Sequence, residues 1–338
     1  MTPEREQRLR EADARILEAE KRYLRALERL CQLQEQAARE GRVSTTTHRF
    51  KLPSGRFLQY GITPPLGPTS SDPEAPLVVL ANPLCTPFTV WEHVIAKLAS
   101  RGFRVLTYNQ SGHGDSSSPK DLSATTFDWL ADDARFLLRH LNRKQVHAWV
   151  GVSMGAATGI VFAAKYPGVI GRLVACDTVS CSPVNAGNPD IFAPRVEIAR
   201  RDGIASIVDG TLERWFGRHW LATNPTEASR LRAAMCTTRV DGFATCCAAL
   251  ASPSFDLRRL AQRAGRGVRD GATLLVGEND ADLPQTMEEL RRNIEAGVRQ
   301  MQGANALVEL RIIENAGHVC FIDGFDQFCK AVLDFLED

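Results

Sequence analysis

The chain has 338 residues, 44% hydrophobic and 24% charged, and 41 lysines and arginines against 40 aspartates and glutamates leave a net charge of +1. This is the makeup of a soluble globular protein, one large α/β domain with an insertion or two domains. The balanced charge gives no reason to expect nucleic acid or an anionic membrane as partner, and no apolar run approaches the roughly 20 residues that span a bilayer. The N-terminus mixes acids and bases, unlike a signal or transit peptide. Nine cysteines, scattered and without paired metal spacing, read as reduced packing thiols, so the expected compartment is the cytoplasm.

Residues 4–40 contain no Gly or Pro, and Leu9, Ala12, Ile16, Ala19, Tyr23, Ala26, Leu30, Leu33 and Ala37 recur at alternating steps of three and four. That heptad stripe predicts a long helical arm over residues 1–42. At about 1.5 Å per residue the helix would reach roughly 50 Å, more than one face of a domain this size can cover. It is expected to pack between molecules and make a homo-oligomer; the plainer alternative is a helix lying on its own core. Glu4–Arg8, Glu6–Arg10, Glu11–Arg15, Glu18–Arg22 and Glu35–Arg39 support it at i,i+4 spacing.

After Gly41, residues 43–60 alternate as a hairpin turning at Pro53-Ser54-Gly55, and five prolines over 61–76 mark a loop. Leu77-Val78-Val79-Leu80-Ala81 and Val105-Leu106-Thr107-Tyr108 are continuous apolar runs, the pattern of strands buried on both faces. Helices are expected over 91–100 and 128–141. The strand-like run Val146-His147-Ala148-Trp149-Val150 then leads into Gly151-Val152-Ser153-Met154-Gly155 and a small-residue helix over 156–166. A strand-to-helix turn this tight strains its central residue. Side chains at Gly151 and Gly155 would strike neighbouring backbone, Ser153 is left projecting above the sheet, and the Met154 amide opens the helix, where developing negative charge would be met.

Leu173-Val174-Ala175-Cys176 makes the next strand. From 182 to 256 the alternation lapses into four short helices over 194–201, 204–216, 226–235 and 242–251, an all-helical insertion expected to form a lid. Strands over 272–276 and 308–313 and a last helix over 326–335 follow. The domain plan is an arm (1–42), a core in two parts (43–181 and 257–338) and the lid (182–256), with strands and helices alternating as in a mostly parallel, doubly wound sheet.

With these elements placed, the chain resembles the α/β-hydrolase superfamily over residues 43–338, through the strand, G-x-S-x-G and helix and through Gly112-His113-Gly114-Asp115-Ser116. Within it, Asn82-Pro83-Leu84-Cys85-Thr86 through Trp91, Arg214-Trp215-Phe216, and the run from Asp241 to Leu250 are similar to 3-oxoadipate enol-lactonases. Cys85 stands where that family has glycine, and Asn109-Gln110-Ser111 where it has Asp-x-Arg. The long arm has no counterpart there.

The resemblance implies a serine hydrolase acting on a lactone or ester through an acyl-enzyme, with no metal or organic cofactor and a small molecule as partner. Ser153 would be the nucleophile. His318, in Asn315-Ala316-Gly317-His318 after the last strand, would be its base; His113 is the competitor, read as a turn-shaping residue. The acid is expected at Asp280, in a Gly-x-x-Asp-x-x-x-Pro loop, with Asp282 beside it and Asp177 after the preceding strand as alternatives; Glu278 reads as a loop acid. The order Ser, acid, His fits this fold. Pro83 has no N–H, so Leu84, which matches the family position, and Met154 would supply the oxyanion amides. Trp215, Phe216, Trp220, Arg214, His219 and Phe243 would contact substrate. Ser111 cannot pair an acidic substrate, and Arg195, Arg214 and Arg218 are the cations that could. A thioesterase or a C–C bond hydrolase would use the same triad, and a non-catalytic ligand-binding or scaffold protein working through the N-terminal helix is the other alternative. Fold by itself does not choose among these.

Overall fold

The chain folds around a sheet in which eight strands lie in the order β1-β2-β4-β3-β5-β6-β7-β8. The structure, a computed structural model, describes residues 7, 18, 21, 22, 43–66 and 72–337. The heptad stripe therefore lies outside the described residues as a whole. Within residues 4–40, Gln7, Glu18, Lys21 and Arg22 are described and helical, with Arg22 Nη2 3.5 Å from Glu18 Oε1.

β1 (Thr46–Lys51) and β2 (Phe57–Thr63) form an antiparallel hairpin, and β2 runs antiparallel to β4 (Arg104–Tyr108). Every other pair is parallel: β4 with β3 (Leu77–Ala81), β3 with β5 (Val146–Val152), β5 with β6 (Ile170–Cys176), β6 with β7 (Ala272–Gly277), and β7 with β8 (Glu309–Ile313). β3 and β7 are buried along their whole length, which is why they read as unbroken apolar runs.

Alternate residues of each strand feed two separate cores. Leu77, Val79 and Ala81 join α2 (Phe127–His140), α3 (Met154–Lys165), α8 (Ala261–Gly267) and α9 (Leu283–Gln302) on one face. Val78 and Leu80 face α1 (Glu92–Ser100) and α10 (Phe325–Glu337) on the other, where Trp91 stacks on Phe321 with ring centroids 3.8 Å apart.

Between β6 and β7 the chain makes an excursion of four helices, α4 (Ala193–Asp202), α5 (Ala205–Thr223), α6 (Pro225–Cys236) and α7 (Val240–Ala251). Its two ends meet at an antiparallel bridge, Cys181 to Asp256, flanked by Ser182 N–H to Phe255 O (3.0 Å) and Leu257 N–H to Ser180 O (2.7 Å). Val208, Leu212, Trp215, Leu231, Met235 and Phe243 seat the excursion on the second core. The helix expected to end at Phe216 continues to Thr223 across a break at Gly217, whose φ of 74° and ψ of 157° are not helical. No helix among the described residues is long and apolar enough to cross a membrane, and the eight described cysteines are free thiols.

Candidate active site

β5, β6, β7 and β8 are neighbours and parallel, so the segments after them emerge at one edge of the sheet, where open α/β sheets bind ligands. Ser153 follows β5 with φ 54° and ψ −117°, a conformation L-residues hold only under strain. The flanking glycines permit it. A Cβ on Gly155 would lie 2.1 Å from the Ala81 carbonyl oxygen, and one on Gly151 would lie 2.4 Å from that of Gly155. α3 thus closes onto the end of β3, and the serine is pushed up from the turn.

His318 is brought to it. Its Nε2 lies 2.9 Å from Ser153 Oγ, and its Nδ1 lies 2.8 Å from Asp280 Oδ2. Two loops make this geometry and are tied to each other. Glu278 N–H donates to Ile313 O (3.0 Å), Asn279 N–H to Ala316 O (2.8 Å), and Asn315 N–H to the Glu278 carboxylate (2.9 Å). The base loop is also pinned on each side of the imidazole. Gly317 N–H donates to Asp323 (2.7 Å), and His318 N–H donates to the Trp215 carbonyl (3.1 Å). That carbonyl is free because the break at Gly217 interrupts the helical bonding of α5.

The other candidate acids are elsewhere. Asp282 is exposed at the start of α9. Asp177 is fully buried after β6; its Oδ1 accepts from Gly277 N–H (2.8 Å) and its Oδ2 from Cys320 N–H (3.4 Å). Burial first, and the neighbouring Asp280 second, push the Asp177 carboxyl well above the usual range. Asp177 is thus held by backbone amides away from the imidazole, and the carboxylate facing it is that of Asp280.

His113 is buried and engaged away from Ser153. Its Nδ1 lies 3.0 Å from Ser111 O and its Nε2 accepts from Cys85 N–H at 3.0 Å, so the proton sits on Nδ1. Burial pushes its pKa down to about 4. Since His113 occupies the Cys85 amide, the next free N–H after β3 is that of Leu84; neither it nor the Met154 N–H has a protein acceptor among the described residues. Cys85, where the similar family has glycine, holds φ at 66°. Asn82 secures this loop from below, its Oδ1 accepting from Trp91 Nε1 (2.9 Å) and its Nδ2 donating to Thr86 O (3.2 Å). Ser111 accepts from Arg56 (2.6 Å), whose guanidinium also grips both Asp133 oxygens at 2.7 Å, so Arg56 is not free for a ligand.

A cavity of about 110 Å³ opens at Ser153 and His318. Leu84 and Cys85 wall it from the core, and Arg195, Thr211, Arg214, Trp215 and Phe243 from the helical excursion. Three expected contacts do not reach it. Phe216 and Trp220 stack on each other, centroids 4.5 Å apart, and Trp220 lines a separate, larger cavity of about 590 Å³ that contains none of Ser153, His318 or Asp280. His219 is exposed. Thr211, Arg214 and Trp215 share one face of α5; Phe216 lies about 100° further round, and Trp220 stacks on it from beyond the break at Gly217. Thr211 was detectable in the sequence only as the residue one turn before Trp215.

The cations also separate. Arg218 pairs with Glu213 at the surface (2.5 Å). Arg195 and Arg214 both line the cavity, and among the described residues neither has an ion pair or hydrogen-bond partner. Arg214 is reached by solvent, yet burial and then Arg195 push its pKa down from the ordinary value to about 10. A side chain walling a wet cavity is both enclosed and hydrated, and at neutral pH it keeps its charge.

A family model described as "alpha/beta hydrolase fold" matches residues 76–195. 3-Oxoadipate enol-lactonase 2 of Acinetobacter baylyi is 27% identical over 250 residues, covering 71% of this chain and 90% of that protein. Enol-lactonase 1 of the same organism is 32% identical over 181 residues, 52% of this chain and 63% of its own length. Among solved structures, the enol-lactonase from Burkholderia xenovorans LB400 superposes with a TM-score of 0.71 at 29% identity, covering 86% of this chain and 100% of that one. Sheet order, strained serine turn and relatives agree: the chain has the α/β-hydrolase fold and is similar to the 3-oxoadipate enol-lactonases.

Proposed function

We propose that this protein is a serine hydrolase that opens a lactone or ester carrying a carboxylate. The observation that carries the reading is one cavity in which the Ser153–His318–Asp280 hydrogen-bond line meets two unpartnered arginines. His318 Nε2 takes the Ser153 proton as Oγ attacks the carbonyl carbon. The oxyanion is held by the Leu84 and Met154 amides, and Asp280 keeps the imidazole oriented and steadies its positive charge. The tetrahedral adduct collapses, the C–O bond breaks, and His318 returns the proton to the departing oxygen. Water, deprotonated by the same imidazole, then releases the acid and frees Ser153. The helical excursion acts as a lid that walls the reacting atoms.

Arg195 and Arg214 wall the cavity without an ion-pair partner, and a substrate carboxylate bound between them would supply a charge-assisted partner. The similar proteins are named for 3-oxoadipate enol-lactone, so a carboxylated enol-lactone is the first compound to test.

The experiment is a screen of carboxylated and neutral lactones, esters, thioesters and β-diketones against wild type, Ser153→Ala, Arg195→Ala and Arg214→Ala. Ser153→Ala should abolish turnover. Each arginine variant should raise KM for the acid roughly tenfold to a hundredfold, the worth of a charge-assisted hydrogen bond, and leave neutral lactones nearly unchanged. Neutral lactones cleaved well and the acid poorly by the wild type would overturn the carboxylate assignment. Preferred cleavage of thioesters or β-diketones would overturn the bond assignment.

A further inference from the structure

The cavity at Ser153 is small for the work proposed for it. Small-molecule sites commonly occupy about 300–1,000 Å³, and this one holds about 110 Å³. A second cavity of about 270 Å³ adjoins it, and Val179, Ile191 and Phe192 line both. The far side of the second cavity is formed by Pro183 and Ala186 and by Leu283 and Thr286 at the start of α9.

The two spaces differ in charge. Both unpartnered arginines wall the first, whereas the one charged residue on the second is Asp282. A substrate carboxylate is therefore drawn to the first and repelled by the second. The shared wall is apolar and uncovered: Val179 is 38% and Ile191 51% exposed. Large aliphatic groups left in water at the mouth of a site gain by being covered by an apolar ligand.

We propose that the second cavity is a subsite of the Ser153 centre, taking an uncharged alkyl or ring portion of the substrate that runs from the reacting carbonyl past Val179, Ile191 and Phe192. The substrate is then bipolar, with its anion at Arg195 and Arg214 and its apolar end between Ala186 and Thr286. The proposal rests on the reading of Ser153 as the nucleophile. The apolar portion can belong to the acyl or to the alcohol side, and the experiment separates the two.

Two ester series are measured with the full chain: para-nitrophenyl esters from acetate to octanoate, and acetates of straight-chain alcohols from methanol to octanol. Neutral esters suffice because the comparison is of length. Since one methylene in an apolar pocket is worth roughly tenfold or more, kcat/KM should rise by at least about tenfold along one series. Ala186→Trp and Thr286→Phe fill the second cavity from opposite walls, far from the reacting atoms. Each should flatten that rise, and thermal melts and circular dichroism like those of wild type report that the variant is folded. The series that responds names the side of the substrate. No rise in either series, or a rise that survives both variants, would overturn the subsite and leave the serine mechanism standing. A wild type that cleaves no ester in either series but opens a carboxylated lactone would overturn the subsite alone, and one that does neither would strike the serine-hydrolase reading with it.

Discussion

At the scale of single residues the site turns on two buried carboxyls, of which one meets the imidazole. Asp280→Asn should lower kcat by about 10⁴, the effect of turning the imidazole to the wrong tautomer. Asp177→Asn should cost less than about tenfold, because its carboxyl is pushed toward the neutral form that asparagine copies and its main acceptor bond, from Gly277 N–H, survives. Steady-state kinetics of the pair check this, and a crippling Asp177→Asn with a mild Asp280→Asn would reverse the assignment. His113 carries a second expectation. Burial, and less so Arg239, hold it at about 4 in the folded protein, while the Ser111 carbonyl acts the other way; the unfolded value is near 6.5. The unfolded chain therefore binds the extra proton first, and stability is lost as pH falls from about 6.5 to about 4, on the order of 3 kcal/mol in full. Replacing the ring by asparagine removes that component, so the Tm gap between wild type and His113→Asn should narrow as pH is lowered across this window. A constant gap would show that His113 does not titrate there.

The decisive element is α5, the helix that both walls the cavity and holds the base loop. Its break leaves the Trp215 carbonyl free for the His318 amide, and it occurs at Gly217, in a region of φ and ψ that only glycine occupies without strain. Gly217→Ala should destabilise the protein by about 1–3 kcal/mol and lower kcat as the base loop loses its anchor. Gly210 lies earlier in the same helix, with open space where a Cβ would go. Gly210→Ala should therefore stabilise by about 0.5–1 kcal/mol through helix propensity, leaving kcat unchanged. Thermal melts of the two alanine variants test the contrast, since equal shifts would mean the break is not required. The sequence reading ended this helix at Phe216, one residue before the break. It did not show that the helix resumes, because that depends on α6 and the core beneath it.

For the molecule as a whole, the nine-position stripe from Leu9 to Ala37 motivates self-association through residues 4–40. Sedimentation of the full chain and of one beginning at Gly41 should give a larger subunit count for the full chain. Equal counts would assign the stripe to packing within one molecule. Electrostatics act at this scale too: with 41 basic against 40 acidic residues the net charge offers little long-range attraction for an anionic substrate. On the proposed function, selection of an acidic substrate would rest on Arg195 and Arg214 at close range.

The sequence by itself determined the features that short-range chemistry fixes. Continuous apolar runs gave the buried parallel strands, a lapse in alternation gave the helical excursion, and two glycines around Ser153 gave the strained turn, since each follows from residues within one or two turns of chain. The family resemblance pointed to Asp280 and His318, with Asp282 and Asp177 left open; in the structure His318 lies between Asp280 and Ser153. The tertiary structure alone decided which side chains share a space with Ser153. Arg195 and Arg214 wall the cavity without an ion pair while Arg218 is neutralised by Glu213, and Trp215 faces the cavity while Phe216 packs on Trp220, which lines another. One residue along a helix is a turn of about 100°, and competition for a counter-charge is settled between residues distant in sequence. Both lie beyond what local pattern can encode.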